Sequence, residues 1–466
     1  MGALSHALSG RARRRRLSGR IAACPTAARI AELRRPPMGK GIRASVAWLV
    51  ILSLLLPACA SRHVPPIGAD GKAFKPESDE RSLWAAAEKE EEALLKKAKV
   101  YDDPLLEEYL AGIGDRLTPE QVRAAGGPGF KFGVLRDPTL NAFALPNGHI
   151  YVHTGLLSRL DNESQLAMIV GHEMTHVTHR HALSFQRDIQ TKQILYTVAA
   201  VAASIGVAAV AGSRAQKGDY VGAAVIGQTA NAILGLGLAL TAMAAINGYG
   251  RDLERDADNG GMENLVRAGY DPKEAPKVFA LLRSESKDRG SLETFFFGSH
   301  PKLTERIETT EGLLRSKYAE AAAAPTTTRD TEDFQLRMRS VVRENAYEDI
   351  RAGRFPVAQR QLDRVLAITP KDAIAHTYYG DLHRLQAQRA RDADKKAEHA
   401  RLALASYEKA VELDATAPEP HRQLGFLYYQ QKDTARAKAA FEQYLALKPT
   451  APDAKRIKEY LVELDR

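Results

Sequence analysis

A chain of 466 residues, 44% hydrophobic and 26% charged, has globular composition and enough length for several domains with their own cores, which excludes wholesale disorder and collagen-like repetition. The formal charge of +9 belongs to one end: the first 43 residues hold eleven Arg and Lys against a single acid, Glu32, so the remainder is close to neutral and offers no footprint for nucleic acid. Two cysteines, Cys24 and Cys59, cannot build a disulfide framework.

Val46 to Leu56 is an uncharged, mostly apolar run of eleven behind Lys40 and Arg43, the length of a signal-peptide core and too short to span a bilayer. It ends at Leu56-Pro57-Ala58-Cys59, which resembles the bacterial lipoprotein box, where cleavage precedes a cysteine that is then acylated. Residues 1–58 are thus expected to be a lipoprotein signal peptide, with Met38 as an alternative start and Cys59 as the lipidated residue. The other reading is an ordinary secretory signal cut after Ala58. Ala60 behind the cysteine, rather than Asp, implies an outer-membrane lipoprotein facing the periplasm of a bacterial cell envelope. Residues 59–81, polar with Pro65, Pro66 and Pro76, suit a flexible lipid-anchored tether.

From Leu83 to Arg116 apolar residues recur at helical spacing, while Phe130 to Leu135 and Ile150 to His153 read as short strands bounded by Gly and Pro. Leu166 to Leu183 reads as a helix that starts near Asn162 and Glu163. It contains Gly171-His172-Glu173-Met174-Thr175-His176, an HExxH pattern. His172 and His176, four apart, project from one helix face within reach of a single metal ion. Two neutral imidazoles hold Zn²⁺, and Glu173 stands where it can take a proton from a water whose acidity the metal has raised. His179, three beyond His176, is rotated off that face and is not read as a ligand.

A catalytic zinc needs a third protein ligand. The candidate is Glu254 in Arg251-Asp252-Leu253-Glu254-Arg255-Asp256-Ala257-Asp258, with Asp258 four further on and placed to hold a zinc-bound histidine through its second ring nitrogen. Taken alone, this segment reads as a solvated charged helix face. Between the ligands lies an apolar insert, 194–250, whose stretches Ile194 to Gly212 and Tyr220 to Gly250 are each long enough to cross a bilayer. Its Ala and Gly content, with Gln228, Thr229, Asn231 and Asn247, favours a helical pair resting against the lipid surface over a spanning hairpin.

Residues 318–333, with Ala321 to Ala324, Pro325 and Thr326 to Thr328, read as an interdomain linker. From 334 to 466 the pattern is tetratricopeptide-like: Leu424, Gly425, Tyr428, Ala437, Phe441 and Pro449 form one copy. Gly380, Ala403, Tyr407 and Ala410 form another, with about eleven extra residues around Gln386 to His399, and Ala346, Gly353, Ala358, Leu362 and Pro370 an earlier one. Such units cover one another's apolar faces and build concave surfaces for protein partners.

The HExxH segment with Arg180-His181, the Glu254 to Asp258 segment, Asn141 to Val152 upstream, and Ser299-His300-Pro301 with Arg306 downstream together resemble one group of gluzincin metallopeptidases. This group includes the CAAX prenyl endopeptidases, the heat-shock peptidase HtpX and the β-barrel assembly-enhancing type. The resemblance covers roughly residues 83–317, within an expected zinc metallopeptidase domain of residues 82–317. It implies an α+β fold, a mainly helical zinc peptidase domain with a small edge β-sheet, followed here by the all-α repeat solenoid. It implies one Zn²⁺ per chain on His172, His176 and Glu254, and Glu173 as general base with Asp258 in support. Asn141, Ala142, Phe143 and Ala144 are implied to be the edge strand that pairs with an extended peptide. A histidine at the position of His300 closes the open zinc coordination site in the assembly-enhancing type, so His300 is a candidate latch. Asp256 departs from the Glu of many relatives. The expected function is a membrane-anchored periplasmic zinc endopeptidase that cleaves misfolded or misassembled envelope proteins, with the repeats contacting outer-membrane assembly machinery. The alternative is an assembly factor or chaperone whose peptidase site is largely latent.

Overall fold

The computed structural model describes residues 64–191, 249–287, 303–325, 327–329 and 332–466. The expected signal peptide with Met38, the lipidation site Cys59, the latch candidate His300 and the apolar insert up to residue 248 lie outside the described residues. Among the described residues, no helix is long and apolar enough to cross a membrane.

The N-terminal periodicity resolves into two helices, Ser78–Leu95 (α1) and Pro104–Leu117 (α2), because Pro104 starts a new helix and cannot continue an old one. Asp103 caps α2 by accepting from the Leu106 N–H. The stretch expected to be a free tether is folded onto the body from residue 64 onward. Val64 and Ile67 are buried, the Ile67 N–H donates to Thr178 O at 2.8 Å, and that of Phe74 to Ala125 O at 2.6 Å. Prolines set its path, but its apolar side chains give it a place to dock.

Lys131–Leu135 (β1), Ala142–Ala144 (β2) and His149–His153 (β3) form a sheet in the order β1-β3-β2. β1 runs parallel to β3, and β2 pairs antiparallel with it, Phe143 opposite Tyr151. β2 is therefore an edge. The hairpin between β2 and β3 closes through Gly148, whose φ of 93° only glycine adopts readily.

Glu163–Thr178 (α3) begins where the Asn162 side chain accepts from the Gln165 N–H at 3.0 Å. All of its residues are buried, since α2, the sheet and the helices Arg251–Arg267 (α4) and Glu274–Lys287 (α5) surround it. The expected helix through Leu183 is broken: Arg180 takes φ 56°, and a separate helical stretch covers 181–191. The cause is tertiary. The Arg180 guanidinium is bound by Glu80 at 2.6 and 2.9 Å and by Glu77 at 3.0 Å, both supplied by the docked N-terminal segment.

Leu303–Arg315 (α6) packs on α4 and α5. The presumed linker is also tied down: Thr328 N donates to Gly269 O, and Thr328 O accepts from the Ser164 hydroxyl and the Asp271 N–H. Beyond it, three helix pairs stack. They are Glu332–Arg351 (α7) with Phe355–Ile368 (α8), Ala373–Arg389 (α9) with Ala393–Leu413 (α10), and Pro418–Gln430 (α11) with Thr434–Leu447 (α12), followed by Ala454–Leu464 (α13). A Cβ on Gly380 would meet the Tyr407 ring at 2.4 Å, and one on Gly425 the Phe441 ring at 2.4 Å, so the second and third pairs each cross at a glycine opposite an aromatic. The extra residues lengthen α9 by four and α10 by seven relative to α11 and α12, close to one and two whole turns, which keeps the packed faces in phase. Phe334, Met338, Val341 and Ile350 of α7 share one hydrophobic core with Leu110, Ile150, Met168 and Phe279. The repeats thus grow directly out of the body that holds the HExxH helix.

Candidate metal centre

Helices α3 and α4 meet at glycines. A Cβ on Gly261 would lie 3.0 Å from the His172 backbone nitrogen, and one on Gly260 2.4 Å from Thr175 Cγ2, so the two axes approach closely where the donors stand. Of the charged run 251–258, Glu254 and Asp258 are turned inward, 3% and 1% exposed, and Asp252, Arg255 and Asp256 outward. Three donors converge: His172 Nε2 is 3.1 Å from His176 Nε2 and 3.5 Å from Glu254 Oε2, and His176 Nε2 is 3.6 Å from Glu254 Oε1. All lie within 4.8 Å of one another. Glu173 is buried on α3 directly between the two histidines in sequence.

Each histidine turns Nε2 inward because its Nδ1 is engaged elsewhere. His172 Nδ1 lies 2.9 Å from Asp258 Oδ1, and Arg306 of α6 grips that carboxylate with Nε at 2.9 Å and Nη2 at 2.6 Å. The guanidinium also lies over the Phe279 ring, 4.0 Å from its centroid. His176 Nδ1 lies 2.9 Å from His181 Nδ1, and the Tyr249 ring stacks on His176 with centroids 4.6 Å apart. This is the outer-shell support that fixes tautomer and ring orientation for metal-binding histidines.

The electrostatics call for a cation. Burial and the Arg306 charge both oppose a proton on His172, yet Asp258 and Glu254 outweigh them and push it up to about 9. Burial likewise opposes the Asp258 charge, but Arg306 and then His172 hold that carboxyl below its usual range. Two imidazoles and a carboxylate, inward-facing and held by fixed partners, are the donor chemistry of a zinc peptidase site, and these residues fit it. The expected ligand trio and Asp258 are brought together, and of the expected edge residues Ala142 to Ala144 form one edge of the sheet, packed on α3, with Asn141 just before the strand. The sequence assigns no role to Arg306, His181, Tyr249 or the paired glycines, although Arg306 and His181 stand among the residues that carry the resemblance; for the close approach of the helices, Asn259-Gly260-Gly261 was the available signal.

Residues 104–314 match the peptidase family M48, and 393–461 match a tetratricopeptide repeat. The beta-barrel assembly-enhancing protease of Escherichia coli (strain K12) is 29% identical over 244 residues, 51% of this chain and 44% of that protein. A Vibrio cholerae relative that carries the same name provisionally is 32% identical over 210 residues, 45% of this chain and 39% of its own length. The mitochondrial metalloendopeptidase OMA1 of Schizosaccharomyces pombe is 26% identical over 223 residues, 44% of this chain and 58% of that one. The chain therefore spans less than half the length of these two beta-barrel assembly-enhancing relatives.

Proposed function

We propose that this chain, whose residues 104–314 match the peptidase family M48 and whose residues 393–461 match a tetratricopeptide repeat, is a zinc-dependent endopeptidase of a bacterial cell envelope. It cleaves misfolded or misassembled envelope proteins. The observation that carries this reading is the convergence of His172 Nε2, His176 Nε2 and Glu254 around one point beside Glu173. When bound there, zinc supplies Lewis acidity toward a peptide carbonyl and makes a nearby water more acidic.

The chain's own residues supply the rest. Glu173 accepts the proton of the attacking water at its carboxylate and delivers it to the departing amine. Asp258, held by Arg306, keeps His172 in the tautomer that presents Nε2, and His181 does the same for His176. An extended substrate adds to the edge of β2 that pairs with no other strand among the described residues, where backbone pairing binds without regard to sequence. Beside that edge the Asn141 Oδ1 is buried and has no hydrogen-bond partner among the described residues. The repeats recruit protein partners where β-barrels are assembled, and Cys59 with the insert 194–250 holds the enzyme at the periplasmic face of the outer membrane. His300 acts as a latch on the open coordination position.

The test is Glu173→Gln, which is expected to keep fold and zinc while losing cleavage of casein; equal activity would remove Glu173 from the mechanism. The second reading, an assembly factor with a largely latent site, draws on burial: His172, Glu173, His176 and Glu254 are each at most 3% exposed. Rescue of a deletion strain by Glu173→Gln favours it, and failure favours proteolysis.

A further inference from the structure

On an unbroken helix, His179 and His181 would point about 200° apart. The left-handed Arg180 between them, φ 56°, brings both rings to one carboxylate: His179 Nδ1 is 2.5 Å and His181 Nε2 3.0 Å from the same oxygen, Asp256 Oδ2. A non-glycine residue held in this conformation is strained and points to a function for what it positions. Glu80 and Glu77 hold Arg180 there. His179 and Asp256 reach the surface, with side chains 29% and 47% exposed, while His181 is buried. The three donor atoms lie within 4.8 Å of one another.

We propose that His179, His181 and Asp256 form a second divalent-cation site, and that filling it weakens the His172–His176–Glu254 site through His176. Two imidazoles and one carboxylate, solvent-accessible on one side, suit a borderline ion such as Zn²⁺. The coupling follows from where protons sit. It rests on the zinc-peptidase reading, in which His176 uses Nε2 for metal and carries its proton on Nδ1. That proton is donated to His181 Nδ1, 2.9 Å away, so the proton of a neutral His181 stays on Nε2, facing Asp256. A cation on His181 needs that Nε2 bare, which moves the proton to Nδ1 and sets two N–H groups against each other across 2.9 Å. The rings separate, or one metal leaves. Binding at the two sites is therefore antagonistic, and the antagonism is reciprocal.

The experiment is equilibrium dialysis of the metal-free protein against a series of zinc chloride concentrations, with bound zinc counted and casein cleavage followed in parallel. The wild type is expected to take up one zinc at low free concentration and a second at higher concentration, with cleavage falling as the second binds. His179→Gln, at a half-buried position outside the peptidase centre, should stop at one and keep its activity at high zinc. His172→Ala should lose the first uptake and bind at the second site more tightly than the wild type does. Identical uptake by the wild type and His179→Gln overturns the second site. A second zinc that leaves cleavage unchanged overturns the coupling. Retention of the first zinc by His172→Ala would instead count against the peptidase-centre reading.

Discussion

Replacing Gly260 with alanine should loosen the metal centre without touching any of its donors. The added Cβ would stand 2.4 Å from Thr175 Cγ2 and 2.7 Å from its Oγ1. Carbon atoms settle at about 3.5–4.0 Å, so α4 must withdraw from α3 by about 1 Å, or Thr175 must turn. Turning forfeits the hydrogen bond from Thr175 Oγ1 to Gly171 O, 2.7 Å long and buried. Overpacking of this kind costs about 1–3 kcal/mol. Glu254 lies six residues earlier on the same helix, about 9 Å along its axis, so a moving α4 carries the carboxylate with it. Metal sites tolerate about 0.2 Å in ligand distance, and a misplacement near 1 Å can cost on the order of a hundredfold in rate. Zinc affinity by chelator competition, casein cleavage and the urea midpoint should all fall together. Adding Thr175→Ala should recover part of the loss, because the closest remaining contact is then to Cβ, at 3.1 Å. Gly312→Ala, on α6 with nothing within 4 Å, is the control and should be neutral or stabilising by about 0.5–1 kcal/mol. A Gly260→Ala protein with wild-type stability, affinity and rate would refute the close-approach argument.

Arg306→Met leaves Asp258 charged in a buried place with one partner gone; it should destabilise by about 3–5 kcal/mol and weaken zinc binding about 10–100-fold, read from urea unfolding and chelator competition. No loss in either would deny the pair its orienting role. The Arg187 guanidinium, chiefly by hydrogen bonding, holds Glu77 and Asp79 below the ordinary carboxylate range. Their contribution is present above that range and is lost as pH falls through their lowered values, so exchange of amides in 64–95 should rise in acid below about pH 4. Arg187→Gln should flatten that dependence; an unchanged profile would sink the assignment. His300→Ala is expected to raise basal casein cleavage, and an unchanged or lower rate argues against a latch.

The HExxH pair was legible because four residues are nearly one helical turn, and neither histidine needs anything distant to face the same way. Glu254 was legible only through family resemblance: the acids of 251–258 look alike in sequence, and burial alone separates Glu254 and Asp258 from Asp252 and Asp256. The helix break at Arg180 left no trace, since arginine has no preference for left-handed backbone and the cause lies a hundred residues earlier, in Glu77 and Glu80. Prolines suggested a loose tether and a loose linker, but Val64, Ile67 and the Thr328 backbone dock both. In the repeats, Gly380 and Gly425 opposite Tyr407 and Phe441 fixed the pairing, and the insertion could be absorbed because it adds nearly whole turns.

The most direct measurement is the zinc dissociation constant of the purified protein beside its Glu254→Gln variant, by competition with a chelating dye under identical conditions. One tightly held zinc in the first and a loss of at least about 1.4 kcal/mol, tenfold, in the second is the expected pair of values. Equal affinities, with the fold intact, would contradict the three-ligand centre.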